Sequence, residues 1–260
     1  MGAGQPRVRA LGPGLGGALA DLVLPRTCAG CGVPGSVFCR RCAGSLGSPR
    51  VATPRRVPRG LPPTVAAGAY AGPVRAAVIA FKERGRAELA GPLGAALALA
   101  VAAGAAVVPA RPVLLVPVPP SRASLRARGR DHVRELVTVA VAELGAAGVA
   151  ARPAPLLART GRVRDSTGLS VAERRANLAG TFVRRRGVAA PPGALLVLVD
   201  DVLTSGATLS EAAAALAGTG PDGHPPVLAA VVAATPRGGP GRRLPGPTWP
   251  VAGARADHSR

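Results

Sequence analysis

Two short stretches of this 260-residue chain gather the side chains best able to do chemistry. In the first, the apolar run ALLVLV (194–199) leads into Asp200 and Asp201, then Val202 and Leu203, then Thr204, Ser205, Gly206, Ala207 and Thr208. That order predicts a buried strand, two carboxylates, and a glycine turn that opens a helix. The turn offers several backbone N–H groups and the hydroxyls of Thr204, Ser205 and Thr208. With a helix N-terminus behind them, these groups suit a monophosphate dianion. The two aspartates just before the turn suit hydrogen bonds from sugar hydroxyls, so a sugar phosphate is the ligand this string implies. An acidic strand end followed by a hydroxyl cap is the plainer alternative. It accounts for one Asp and one Thr but not for the whole string.

The second stretch holds all four cysteines, Cys28, Cys31, Cys39 and Cys42, spaced C-x2-C-x7-C-x2-C. Two such knuckles can surround one Zn²⁺ tetrahedrally with thiolates at about 2.3 Å. Disulfides need an oxidising compartment, and nothing in the chain predicts one. A redox Cys-x-x-Cys pair is a further option, but two pairs this close read better as one metal site. Four protein ligands leave no open position for water, so the expected zinc is structural. The preceding ALADLVLP (18–25) predicts a short lead-in helix.

Other chemistries fit less well. A Walker loop needs a lysine after its glycine, and the one lysine, Lys82, stands in an unrelated context. Gly12, Gly14 and Gly17 spell a formal G-x-G-x-x-G, but no strand precedes it. The formal charge is +20, from 33 Lys+Arg and 13 Asp+Glu, and nearly all of it is arginine. An arginine excess suits phosphate-rich ligands. It also accompanies the abundance of Ala, Gly and Pro, which points to a compositional bias. Aromatic residues are 2% of the chain, too few for a surface built on base stacking. The run 89–110 is uncharged and long enough to span a bilayer. Its Ala/Gly content predicts a core helix instead, so no membrane span and a cytoplasmic location are expected.

The elements that must position these residues follow from pattern. VAAGAY (65–70), VLLVPV (113–118), ALLVLV (194–199) and VLAAVVAA (227–234) predict strands. The first helices are expected at 73–83 and 86–104, and two more at 131–147 and 207–217. Strands alternating with helices predict an α/β fold with a parallel, doubly wound sheet. The expected domains are a lead-in helix and zinc ribbon (1–43), a Pro/Arg linker (44–63), the α/β domain (64–234) and a disordered tail (235–260).

Several of these pieces resemble a known family. The Asp200–Thr208 string resembles the 5-phosphoribosyl-1-pyrophosphate (PRPP) signature of type I phosphoribosyltransferases. The cysteine ribbon, FKERGRAELAGPLG (81–94), VPVPPSRASLRARGRDHV (116–133) and TGLSVAERRANLAGTF (167–182) resemble the ComF/GntX family, the competence-associated branch of that fold. Together they cover most of 20–234, in the family's order.

The resemblance implies a type I phosphoribosyltransferase-like sheet and a PRPP site that takes Mg²⁺ with pyrophosphate. Asp200 and Asp201 would contact the ribose hydroxyls, and Thr204 to Thr208 would hold the 5-phosphate. Arg126, Arg128 and Arg130 would meet the pyrophosphate end. The segment 161–178 would close over the ligand, with Arg174 and Arg175 stabilising the leaving group. An enzyme transferring a phosphoribosyl group to an unknown acceptor is one implied function. The others are a non-catalytic handler of single-stranded DNA working with DNA-uptake proteins, and a PRPP-sensing regulator. This chain departs from the pattern in two places. The family often reads R-G-F-N-Q where Arg128-Gly129-Arg130-Asp131-His132 stands, and Q-T-G-L-S where Ser166-Thr167-Gly168 stands. His132, at an arginine-flanked helix start, is expected at the surface.

Overall fold

The computed structural model describes residues 26–108, 111–160, 180–188, 190–217 and 227–236. Its strands are β1 (Arg50–Ala52), β2 (Thr64–Ala69), β3 (Val113–Pro117), β4 (Ala151–Pro153), β5 (Leu157–Arg159), β6 (Phe182–Arg184), β7 (Leu195–Leu203) and β8 (Val227–Ala234). The helices are α1 (Arg40–Ala43), α2 (Gly72–Glu83), α3 (Ala90–Ala105), α4 (Arg122–Arg128), α5 (His132–Ala146) and α6 (Ala207–Ala217). Six strands form one sheet in the order β1-β2-β8-β7-β3-β4, and β5 and β6 form a separate antiparallel pair. Every pairing in the large sheet is parallel except β1 with β2. The fold is therefore α/β, with a mostly parallel sheet flanked by helices.

The sheet is covered on both faces, which is why its central strands are continuous apolar runs. Leu195, Val197 and Val199 of β7 belong to one core, which they share with α2, α3 and α5. Leu196 and Leu198 belong to a second core, with α6 and the β5–β6 pair. Helix α3, part of the one described stretch long and apolar enough to cross a bilayer, has its middle and end buried in the first core. It fits so closely against α5 that a Cβ on Gly94 would meet Val139 Cβ at 2.5 Å.

Within 44–63, where prolines and arginines predict a linker, Gly44–Leu46 forms a 3-10 turn and Arg50–Ala52 supplies the sheet's edge strand. Leu46 is buried in the first core, and Gly68 of β2 leaves room for it. Three-residue strands rich in arginine and proline carry little apolar alternation, so β1 and β4 leave no periodic trace in the sequence. The lead-in helix at 18–25 and the tail from Arg237 onward lie outside the described residues.

Sheet order also locates a crevice. From β3 the chain moves outward to β4, whereas from β7 it moves the opposite way to β8. The carboxyl ends of β3 and β7 thus flank a topological switch point, where open α/β sheets bind their ligands.

Candidate functional site

The acidic doublet stands within β7, near its carboxyl end, rather than after it. Strand alternation carries over from the apolar run. Asp201 continues the row Leu195, Val197, Val199 toward α2 and α5, and Asp200 has the opposite parity. Helix geometry brings two partners to Asp201. Gly129, at φ 68°, ends α4. Asp131 then caps α5 by accepting the Arg134 backbone N–H at 3.1 Å. His132 becomes the first residue of α5 and lies over the strand end. In α2, Lys82 follows the buried residues Val74 and Val78 at helical spacing, which brings it to the same edge.

The result is a buried cluster. Lys82 Nζ lies 2.7 Å from Asp201 Oδ2, and His132 Nε2 lies 3.1 Å from the same oxygen. The Asp201 and His132 side chains are 4% and 5% exposed, and Lys82 is 30% exposed. Burial alone would raise the Asp201 pKa, but the His132 hydrogen bond and the Lys82 charge outweigh it and hold the carboxyl well below its usual range. Burial likewise opposes the Lys82 ammonium, and Asp201 and Asp200 together hold its pKa above the ordinary value. Asp200 goes the other way. Burial and the Asp201 charge push its pKa up to about 7. Two neighbouring carboxylates with opposite shifts mark a candidate site on physical grounds.

Lys82, Asp200 and Asp201, though not His132, line a cleft of about 300 Å³ together with Tyr70, Val78, Ile79, Glu83, Val202, Thr204 and Thr208. The β7–α6 turn forms its far wall. Gly206 sits at φ 78°, and a Cβ there would meet Leu61 at 3.1 Å and Pro58 at 3.3 Å. The stretch expected as a linker therefore backs the turn. Ser210 donates both its N–H and its hydroxyl to the Gly206 carbonyl, at 2.9 Å and 3.0 Å, which fixes the first turn of α6. Ala207 is the first helical residue, so Thr204 to Thr208 meet the N-terminus of an 11-residue helix.

The structure adds one partner and corrects one expectation. Lys82 belongs to no Walker loop, but it is paired with Asp201. His132 is not on the surface but is buried against Asp201, with its ring edge-on to Phe81 at 6.2 Å. Both convergences arise from tertiary packing, yet one signal was present. His132 shares helical phase with the buried Leu136 and Ala140, as Lys82 does with Val74 and Val78.

The expected anion contacts are divided. Arg128 donates to both oxygens of Glu83, at 2.8 Å and 3.3 Å, beside the cleft. Arg126 is exposed on α4. Arg130 is turned inward, pairing with Glu135, donating to the Phe81 carbonyl at 3.0 Å and stacking 4.4 Å over the Phe81 ring. Arg130 is thus taken up by packing and is not a cleft residue. Arg174, Arg175 and the segment 161–178 lie outside the described residues. One residue without a predicted role, Arg159 of β5, lies over the Phe182 ring at 5.1 Å. Burial works against its charge, and the charge of Asp200 supports it.

The four cysteines meet as their spacing predicts. Their Sγ atoms all lie within 4.8 Å of one another, and Cys31 and Cys39 are 3.7 Å apart. A tetrahedral ion with 2.3 Å bonds holds its sulfurs about 3.8 Å apart, so these four can hold a metal such as zinc. The N–H groups of Gly30 and Cys39 point at Cys28 Sγ, at 3.4 Å and 3.3 Å. Burial raises the Cys28 pKa, but these backbone contacts outweigh it and bring the thiol down to about 6. Gly30 has no room for a side chain: a Cβ would stand 2.8 Å from both Cys42 Sγ and Pro73. The cluster is thereby seated against the start of α2.

No protein-family model and no curated protein matches this chain.

Proposed function

We propose that the cleft at the end of β7 binds a 5-phosphorylated pentose, PRPP or a close relative, as type I phosphoribosyltransferases do. The observation that carries this reading is the single cleft shared by Asp200, Asp201, Thr204 and Thr208 at the carboxyl end of β7, a strand that flanks the sheet's switch point. The carboxylates accept the ribose hydroxyls, and the turn with its helix N-terminus receives the 5-phosphate. This agrees with the resemblance to the ComF/GntX family. The four thiolates hold a structural zinc, since all four positions of a tetrahedral ion are filled by protein. A PRPP ligand would bring Mg²⁺ with its pyrophosphate, and that ion would neutralise charge on the leaving group.

In the catalytic form of the reading, C1 of the ribose loses pyrophosphate and an acceptor nucleophile takes its place. The aspartates then steady the positive charge that develops on the ring. Arg128, once released from Glu83 beside the cleft, would meet the departing anion. A second reading is supported by Arg41, Arg56 and Arg59, which are exposed on the ribbon and the stretch after it. These would hold single-stranded DNA phosphates, with PRPP as a regulatory ligand. Binding to DNA would then fall steeply with salt and ignore base sequence.

Isothermal titration with PRPP and Mg²⁺ tests the first reading. Saturable binding to wild type is expected, with about a tenfold or greater loss in Asp200→Asn, since a charge-assisted hydrogen bond is worth about 1.5–3 kcal/mol. Undiminished binding in Asp200→Asn would remove this reading.

A further inference from the structure

The cluster around Asp201 has a feature that the sugar-phosphate reading does not require. Both of its partners, Lys82 at 2.7 Å and His132 at 3.1 Å, converge on one oxygen, Oδ2. Neither partner reaches Oδ1, whose acidic neighbour is the Asp200 carboxyl, and Asp201 lines the cleft. The partners come from two different helices, the end of α2 and the start of α5, so the carboxylate is gripped from two directions.

We infer that Lys82 and His132 are positioning residues that fix the Asp201 carboxylate edge-on, so that Oδ1 faces the ligand as an oriented acceptor for one ribose hydroxyl. This rests on the sugar-phosphate reading and adds how the second aspartate is held. A lone Asp side chain turns freely about its last bond. Two donors on one oxygen remove that freedom before the ligand arrives, which is how a supporting shell sharpens a binding group. Asp200 has no such donors from side chains; its Oδ1 accepts the Asp201 backbone N–H at 2.8 Å. The two carboxylates are therefore unlike by construction. One is clamped, and the other is free to take up or release a proton as the ligand requires.

The geometry also selects a His132 tautomer. An ionised Asp201 can only accept, so Nε2 must carry the hydrogen. Nδ1 is buried with no hydrogen-bond partner, as befits a bare lone pair and not an N–H.

The test uses ribose 5-phosphate and the full-length protein. The charged groups around Asp201 are Lys82 and Glu83 from α2, His132 from α5, Asp200 from β7 and Arg128 from α4, with Arg159 of β5 on the far side of Asp200. Of these, Lys82→Met removes the counter-charge in contact. The Asp201 carboxyl should then take a proton at a higher pH, so ribose 5-phosphate binding weakens on acidification sooner than in wild type. The ligand's own phosphate titration, near pH 6, is common to all variants and cancels in the comparison. At pH 8 the loss should be about tenfold, from one charge-assisted contact, and Lys82→Arg should recover most of it. Superimposable pH profiles for Lys82→Met and wild type would overturn the clamp, whatever the absolute affinities.

¹⁵N NMR of the wild-type protein reads the same clamp without a variant. Hydrogen on His132 Nε2 is expected, and a neutral ring with hydrogen on Nδ1 would overturn it. If wild type binds no ribose 5-phosphate at any pH, the sugar-phosphate reading itself falls, and the role of the clamp falls with it.

Discussion

Replacing Asp200 by asparagine should stabilise this protein at neutral and alkaline pH while weakening its ligand site. The Asp200 pKa is pushed from 3.8 to about 7 by burial and by the Asp201 charge. An acid whose folded-state pKa is raised holds its proton more tightly in the native protein. The stability linked to that proton is intact below the unfolded pKa of about 3.9 and is lost as pH rises through about 7. Each pKa unit is worth about 1.4 kcal/mol, so the whole shift sets a ceiling of about 4 kcal/mol. Asparagine keeps the shape and has no proton to lose, so it escapes this cost. The stability gap between Asp200→Asn and wild type should widen by about 2–3 kcal/mol between pH 5 and pH 8, the interval in which folded Asp200 ionises. Urea denaturation of both proteins at the two pH values measures it. A gap that stays constant, or a variant less stable than wild type at pH 8, would refute the claim that the doublet carries uncompensated charge. The same substitution removes an acceptor from the cleft, so stability and binding should move in opposite directions, as at many functional sites.

Three further outcomes follow from the geometry. Gly206→Ala forces a side chain onto a backbone at φ 78° and against Leu61 and Pro58. It should cost about 1–2 kcal/mol in thermal unfolding and abolish detectable phosphate-ester binding by titration. Glu83→Gln frees the Arg128 guanidinium from a partner that is half exposed. Inorganic pyrophosphate should then bind tighter in calorimetry by a factor of about 1.4 to 5, since exposed pairs are worth about 0.2–1 kcal/mol. Cys39→Ser should reduce zinc from one ion per chain to none in elemental analysis. It should also lower the melting temperature by about 2–8 °C, if about 1–2 kcal/mol of docking is lost with the cluster.

The sequence was most informative where one residue's neighbours along the chain decide its place. The helix expected at 207–217 is α6, and the strand expected at 227–234 is β8, because apolar runs and a glycine turn are local signals. The cysteine cluster was equally legible, since thiols at that spacing have few other uses. The residues that grip Asp201 were not. Lys82 and His132 are separated from it by 119 and 69 positions and meet it only once α2 and α5 pack on the sheet. The expectation of a surface His132 weighed its arginine neighbours above its helical phase. Phase prevailed, because the face that carries Leu136 and Ala140 must be buried. The edge strand β1 escaped notice for another reason. Prolines and arginines read as a linker whether or not three residues between them pair with a sheet.

The central claim is that the end of β7 grips a phosphorylated pentose, and a crystal grown with PRPP and Mg²⁺ tests it most directly. The account predicts the 5-phosphate seated on the Thr204–Thr208 turn, with the ribose hydroxyls on Asp200 and on Oδ1 of Asp201. Ordered ligand elsewhere on the protein, with Lys82, Asp201 and His132 closed over an empty cleft, would contradict it.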